Sequence, residues 1–167
     1  MNGYIHGENR FFFLMAFIDV FTRKVIDYHI WLKCTAGYII TTLQTAIEKS
    51  GANISNLVIR SDNGSQRTAH MFQDHVSNIN LEHEFTFTPV RCPNKNAFIE
   101  SFFSIYETEF LQVHIFDSFG EAYERTIWFI NFYNKKRIHG SLNKKSPEEF
   151  LKDWTENRVS GYMKVRA

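Results

Sequence analysis

The run Phe11-Phe12-Phe13-Leu14-Met15-Ala16-Phe17-Ile18 is followed by Asp19-Val20-Phe21-Thr22-Arg23-Lys24 and then by Val25-Ile26-Asp27-Tyr28-His29-Ile30-Trp31. The first eight residues are continuously apolar, rich in aromatics and too few for a buried helix, so they read as a strand covered on both faces. Asp19 to Lys24 reads as a turn. Val25 to Trp31 reads as a second strand, antiparallel to the first across that short connection. Tyr4-Ile5-His6, ahead of Gly7-Glu8-Asn9, is the stub of a strand before them.

Downstream the pattern changes period. Thr35 is placed as an N-cap, Ile39, Ile40, Leu43, Ala46 and Ile47 repeat at helical spacing, and Gly51 ends the helix. Leu57 to Ser61 is a short strand ending at Asp62, with Asn63-Gly64-Ser65 as a turn. Met71, Phe72, His75 and Val76 predict a helix to about Ser77, Leu81 to Thr88 a further strand, and Pro89 to Lys95 a loop. Phe98, Phe102, Ile105 and Phe110 mark a helix over Asn96 to Leu111, and Phe119 to Asn134 is a longer aromatic one. Ser146-Pro147-Glu148-Glu149 is a helix start, with Ser146 as N-cap, Pro147 at N1 and Glu149 at N3. Antiparallel first strands, then strand–helix units, then C-terminal helices make an α/β domain with a mixed sheet flanked by helices. Residues 1–154 form the core in this reading and 155–167 a tail.

Composition narrows the class. The chain has 167 residues and a formal net charge of +1, with 44% hydrophobic and 22% charged residues, which excludes wholesale disorder. Aromatics are abundant, with 17 Phe, 7 Tyr and 3 Trp, and their spacing follows strands and helices, so they read as core. The apolar stretch Phe11 to Val20, interrupted by Asp19, is too short to span a bilayer. The N-terminus has no cationic segment followed by an apolar one, so no signal peptide is expected. Cys34 and Cys92 are too few and too far apart for a disulfide framework or a zinc site, and six of the seven histidines (His6, His29, His70, His75, His83 and His114) show no metal spacing. A cytoplasmic protein is expected.

Two carboxylates stand out. Asp62 follows a strand directly and precedes Asn-Gly, the position where α/β sheets place ligand-binding groups; an Asx-turn is the bland alternative. Glu100 lies one turn into its helix among Phe98, Ile99, Phe102 and Phe103, and so is expected to be partly withdrawn from water, a costly placement unless the group is paired, protonated or metal-bound. Its alternative is a first-turn acid favouring the helix dipole. Two such carboxylates on one point would make a hard oxygen site suited to Mg²⁺ or Mn²⁺. Separately, Lys135, Lys136, Arg137, Lys144 and Lys145 fall in eleven residues without an acid. That run reads as a solvated helix end or as a phosphate-binding patch.

Four blocks in one order carry a resemblance. Ser61-Asp62-Asn63-Gly64-Ser65-Gln66, with Thr68 and Phe72, resembles the second-aspartate motif of DDE transposases and retroviral-type integrases. Asn96-Ala97-Phe98-Ile99-Glu100-Ser101-Phe102-Phe103 resembles their glutamate helix. Tyr133-Asn134, Arg137, His139, Ser141-Leu142 and Ser146 to Phe150 resemble the C-terminal signature of bacterial insertion-sequence transposases, and Ile18 to Arg23 their second strand and its turn. The resemblance implies a ribonuclease H-like fold and Mg²⁺- or Mn²⁺-dependent cutting and joining of DNA by two-metal phosphoryl transfer. It implies Asp62 and Glu100 as catalytic metal ligands. Asn63, Gln66, Lys95, Asn96, Lys135, Lys136, Arg137 and His139 would line the DNA path. The family acts as an oligomer on paired DNA ends, so a homo-oligomer on transposon-end and target DNA is the implied assembly.

The match departs from the family in places. The family uses three carboxylates, and the position of its first Asp falls at or before Met1, with nothing acidic in Met1 to Gly7. The expectation is therefore a core lacking its first Asp and impaired in catalysis. Asp19 and Glu8 are the conceivable substitutes, and neither is expected to serve because metal geometry tolerates little displacement. Glu107, two turns after Glu100 on the same face, stands where many relatives carry a DNA-contacting Lys. The alternatives are an inactive remnant that binds DNA or an intact transposase partner, and a related nuclease of the same fold, against which the Tyr133–Phe150 signature argues.

Overall fold

The computed structural model describes residues 1–61, 66–85 and 97–156. Strands β1 (Asn2–Ile5), β2 (Arg10–Ile18) and β3 (Val25–Trp31) form an antiparallel sheet in that order, with Gly3 opposite Phe12 and Leu14 opposite Ile30. The β2–β3 register slips by one between Phe17 and Ile18. Helix α1 (Ala36–Ser50) follows. Then β4 (Val58–Ser61), α2 (Gln66–Asn78) and β5 (Glu82–Phe85) make a strand–helix–strand unit whose strands pair in parallel. A parallel pair needs such a crossover. Helices α3 (Ala97–Glu109), α4 (Phe119–Lys135) and α5 (Pro147–Thr155) complete the fold. No helix among the described residues is long and apolar enough to cross a membrane.

Alternation along β2 divides the core in two. Phe12 and Leu14 point to one face, where they join Ile30, Phe102, Tyr106, Phe110, Phe116, Phe129 and Tyr133 under α3 and α4. Phe17 points the other way, toward Leu43, Phe72, Val76 and Leu81 beneath α1 and α2. Each fully buried Phe stabilises the fold by about 1.5–3 kcal/mol. The sheet is thus covered on both faces over most of β2. Phe11 is the exception at 50% exposure: it sits at the rim, edge-on to Tyr4 across the strand pair.

Local signals locate the ends of elements. The Thr35 hydroxyl accepts from the Tyr38 N–H, and Gly51 closes α1 in the left-handed region at φ +64°. Ser146 and Glu149 form a complete capping box with Pro147 in the first turn. Helix α3 stops at Glu109, two residues before Leu111. Phe110 leaves the helical conformation because its ring is drawn into the core, where it is 1% exposed.

Candidate functional site

Helix α3 carries the one candidate catalytic carboxylate that the structure describes. Glu100 lies in its first turn and is exposed. The expected partial withdrawal from water is not what the fold produces. Successive helical residues turn by about 100°, so apolar neighbours in sequence go to another face. Phe102 is fully buried, Ile99 and Phe103 pack on the same core, and Glu100 projects away from it. No described residue pairs with its carboxylate. Glu107 is exposed on the same helix.

Asp62 follows the last residue of β4 but lies outside the described residues, as do Asn63, Lys95 and Asn96; Gln66 is the first residue of α2. Among the described residues no group of three or more His, Cys, Asp or Glu side chains could hold a metal ion. The two conceivable substitutes are committed elsewhere. Asp19 accepts from the Thr22 N–H at 2.9 Å, from the Phe21 N–H at 3.4 Å and from the Thr22 hydroxyl, closing the β2–β3 turn. Glu8 accepts from the Phe119 N–H at 2.8 Å and pairs with Arg10, and the first of these holds its carboxyl below the usual carboxylate range. Both carboxylates hold the frame together.

The C-terminal signature turns out to be densely bonded. Asn134, buried in the last turn of α4, accepts from the Val25 N–H and donates to the Val25 carbonyl, both at 2.9 Å. It thereby satisfies the strand's outer backbone groups. Tyr133 packs edge-on against Phe102 at 5.0 Å and His139 at 4.9 Å between ring centroids, and burial pushes its phenol up to about 12. Arg137 makes a bidentate bond to Glu109 at 2.6 and 2.9 Å, which lowers the Glu109 carboxyl. The His139 Nε2 is buried without a partner. Burial, with Arg137 and Arg23 adding to it, pushes the imidazole down to about 4.

The basic run is accordingly split. Arg137 is held by Glu109 and Lys145 by Asp153, whereas Lys135, Lys136 and Lys144 are exposed. Lys135 lines an open groove with Lys24, Lys152, Glu148 and Glu149. Sequence reasoning did not single out Glu109, whose partner is 28 residues away. Nor did it assign a task to Arg23, whose guanidinium lies 3.5 Å from the centroid of the Phe98 ring.

An antiparallel three-stranded sheet followed by a parallel strand–helix–strand unit, packed under long helices, is the ribonuclease H-like architecture of integrase catalytic cores. Two solved structures share it. The catalytic core of the HTLV-2 integrase, in its trimeric form with magnesium, aligns over 90% of both chains with a TM-score of 0.58 at 14% identity. The catalytic core of the BIV integrase aligns over 95% of both with a TM-score of 0.56 at 16% identity. The chain belongs to the Integrase core domain family, which matches residues 3–92, and a second profile of the same description matches residues 81–147. Among curated relatives, the transposase for insertion sequence element IS904 of Lactococcus lactis is 27% identical over 150 residues, 89% of this chain and 58% of that protein. The putative transposase InsK for IS150 of Escherichia coli is 27% identical over 145 residues, 86% of this chain and 50% of that protein. The chain spans about half the length of the curated relatives it matches.

Proposed function

We propose that residues 1–154 form the core of a DNA transposase or integrase, with 155–167 a tail, and that Asp62 and Glu100 hold divalent metal, Mg²⁺ or Mn²⁺. The observation that carries the reading is the Glu100 carboxylate in the first turn of α3, exposed and with no partner among the described residues, in a chain of the integrase core family. Hard carboxylate oxygens suit these cations. When bound, the metal would supply charge stabilisation to the attacking and leaving oxygens of an in-line phosphoryl transfer.

The chain's own residues do the rest. Lys135, Lys136 and Lys144 present exposed ammonium groups to the phosphate backbone, which position DNA without reading its sequence. Asn63, Gln66, Lys95 and Asn96 flank the two carboxylates in sequence and line the DNA path in this reading. Arg137 and His139 border that path from a bonded cluster and act less directly. Asp19 and Glu8 are committed to structural bonds, so in this reading Asp62 and Glu100 are the metal-binding carboxylates. The acting form is an oligomer on DNA ends.

The test is Mn²⁺ titration together with DNA binding across salt concentrations. Glu100→Gln abolishes the Mn²⁺ site while leaving DNA binding in place. Replacing both Lys135 and Lys136 by Ala lowers the slope of log K against log salt by about 1–2. Unchanged Mn²⁺ binding in Glu100→Gln refutes the metal assignment. Salt-dependent DNA binding without any metal-dependent cleavage favours the non-catalytic, DNA-binding reading.

A further inference from the structure

We infer that Arg23 is a positioning residue, which aims Glu100 by gripping the first turn of α3 through the Phe98 ring. The inference rests on the reading of Glu100 as a metal ligand.

Arg23 occupies an unusual backbone conformation. Its φ is +62°, in the left-handed region that Gly and Asn enter at least cost. The turn around it is tightly closed: the Arg23 N–H donates to the Asp19 carbonyl and the Asp19 N–H to the Lys24 carbonyl, both at 2.8 Å. Thr22, at the centre of the Asp19 bonds, is 3% exposed. A glycine would meet the backbone requirement more cheaply, and the arginine side chain adds contacts that glycine cannot make. It donates to the Val20 carbonyl, and its guanidinium lies 3.5 Å from the centroid of the Phe98 ring. A guanidinium over an aromatic face is a directed, attractive contact.

What this contact controls follows from helix geometry. At about 100° per residue, Phe98, Phe102 and Glu109 fall within about 40° of one another on α3, while Glu100 and Glu107 lie about 180–200° from Phe98. These three residues are held from outside the helix. Phe98 is held by Arg23, Phe102 by the Tyr133 ring, and Glu109 by the two bonds from Arg137. Gripping that stripe sets the rotation of α3 about its axis, and the rotation turns Glu100 outward. The same contacts unite the separate sequence blocks: the β2–β3 turn, the glutamate helix and the Tyr133–His139 segment meet in one clamp. Arg23 matters most for Glu100 because Phe98 is only two residues away, whereas Arg137 holds the far end.

Arg23→Gly is the decisive variant, because it suits φ +62° and deletes the grip without straining the turn. Expected is an unchanged global unfolding midpoint, roughly tenfold faster amide exchange at residues 101–103, unchanged exchange at Phe129 and Ile130, and roughly three- to tenfold weaker Mn²⁺ binding. Arg23→Lys, which keeps the cation, restores most of both. If Glu100→Gln abolishes Mn²⁺ binding while Arg23→Gly changes neither Mn²⁺ affinity nor exchange in α3, the inference is overturned. Exchange that rises equally in α3 and α4 also overturns it, since it reports a general loss of stability. If instead Glu100→Gln leaves Mn²⁺ binding intact, the metal reading fails, and the local exchange result alone decides whether Arg23 holds α3.

Discussion

Replacing Asn134 by Ala removes the side chain that meets both backbone groups of Val25. Val25 is 3% exposed, so its N–H and carbonyl cannot easily turn to water. Each unsatisfied buried backbone group costs about 1–3 kcal/mol. Some water will enter the space left by the amide, so the expected loss is about 2–4 kcal/mol. For a chain of this size that lowers the melting temperature by roughly 5–15 °C. The assay is urea unfolding followed by tryptophan fluorescence and by far-ultraviolet circular dichroism, with the m-value checked for constancy. Asn134→Asp keeps an acceptor for the Val25 N–H but sets a carboxylate against the Val25 carbonyl, so it should be no better than Ala. Asn131→Ala, one turn earlier on the exposed face, should change stability by less than about 0.5 kcal/mol. A loss below about 0.5 kcal/mol in Asn134→Ala at unchanged m-value would show that the two bonds do not hold the outer edge of β3.

Two further outcomes test the interior and the cluster behind α3. The Thr126 hydroxyl donates to the Ala122 carbonyl at 2.7 Å, so the buried Tyr106 phenol donates to Thr126 at 2.8 Å. Thr126→Val should cost about 1–3 kcal/mol by leaving that phenol unpaired, and adding Tyr106→Phe should recover part of the loss in a double-mutant cycle. The second concerns pH. Burial, with Arg137 and Arg23 adding to it and Glu109 opposing, holds His139 neutral down to about 4. The unfolded chain takes up its proton near 6.5, so between those values the unfolded state binds more protons, and folding stability falls as pH drops. The full displacement corresponds to about 3.4 kcal/mol, and solvent screening of the half-buried ring reduces it to about 1–2 kcal/mol. A pH titration of stability should show this loss between pH 6.5 and 4 and its disappearance in His139→Phe; an equal slope in both proteins would refute it.

Much of the frame was legible in the residues themselves, because it depends on signals that act over a few positions. The apolar run Phe11–Ile18, the turn from Asp19 and the strand Val25–Trp31 stand where the pattern placed them. So do the Thr35 cap, the Gly51 stop and the Ser146 capping box. Hydrophobic period, backbone freedom and capping chemistry are local properties, and they survive without knowledge of the fold. Glu100 and the basic run could likewise be picked out as candidates by residue type and spacing.

Direction and partnership could not be picked out in that way. Glu100 was expected to be partly withdrawn from water because its sequence neighbours are apolar, yet the rotation of α3 sends those neighbours inward and the carboxylate outward. The basic run contained no acid, yet Glu109 and Asp153 reach Arg137 and Lys145 from other segments. Asn134 meets Val25 across 109 residues, and no pattern within a helix announces that bond. The sequence alone determined which elements form and which side chains could do chemistry, since those follow from short-range sterics and hydrophobic period. Only the tertiary structure decided which charges are free and which way they point, since that depends on how segments distant in the chain pack against one another.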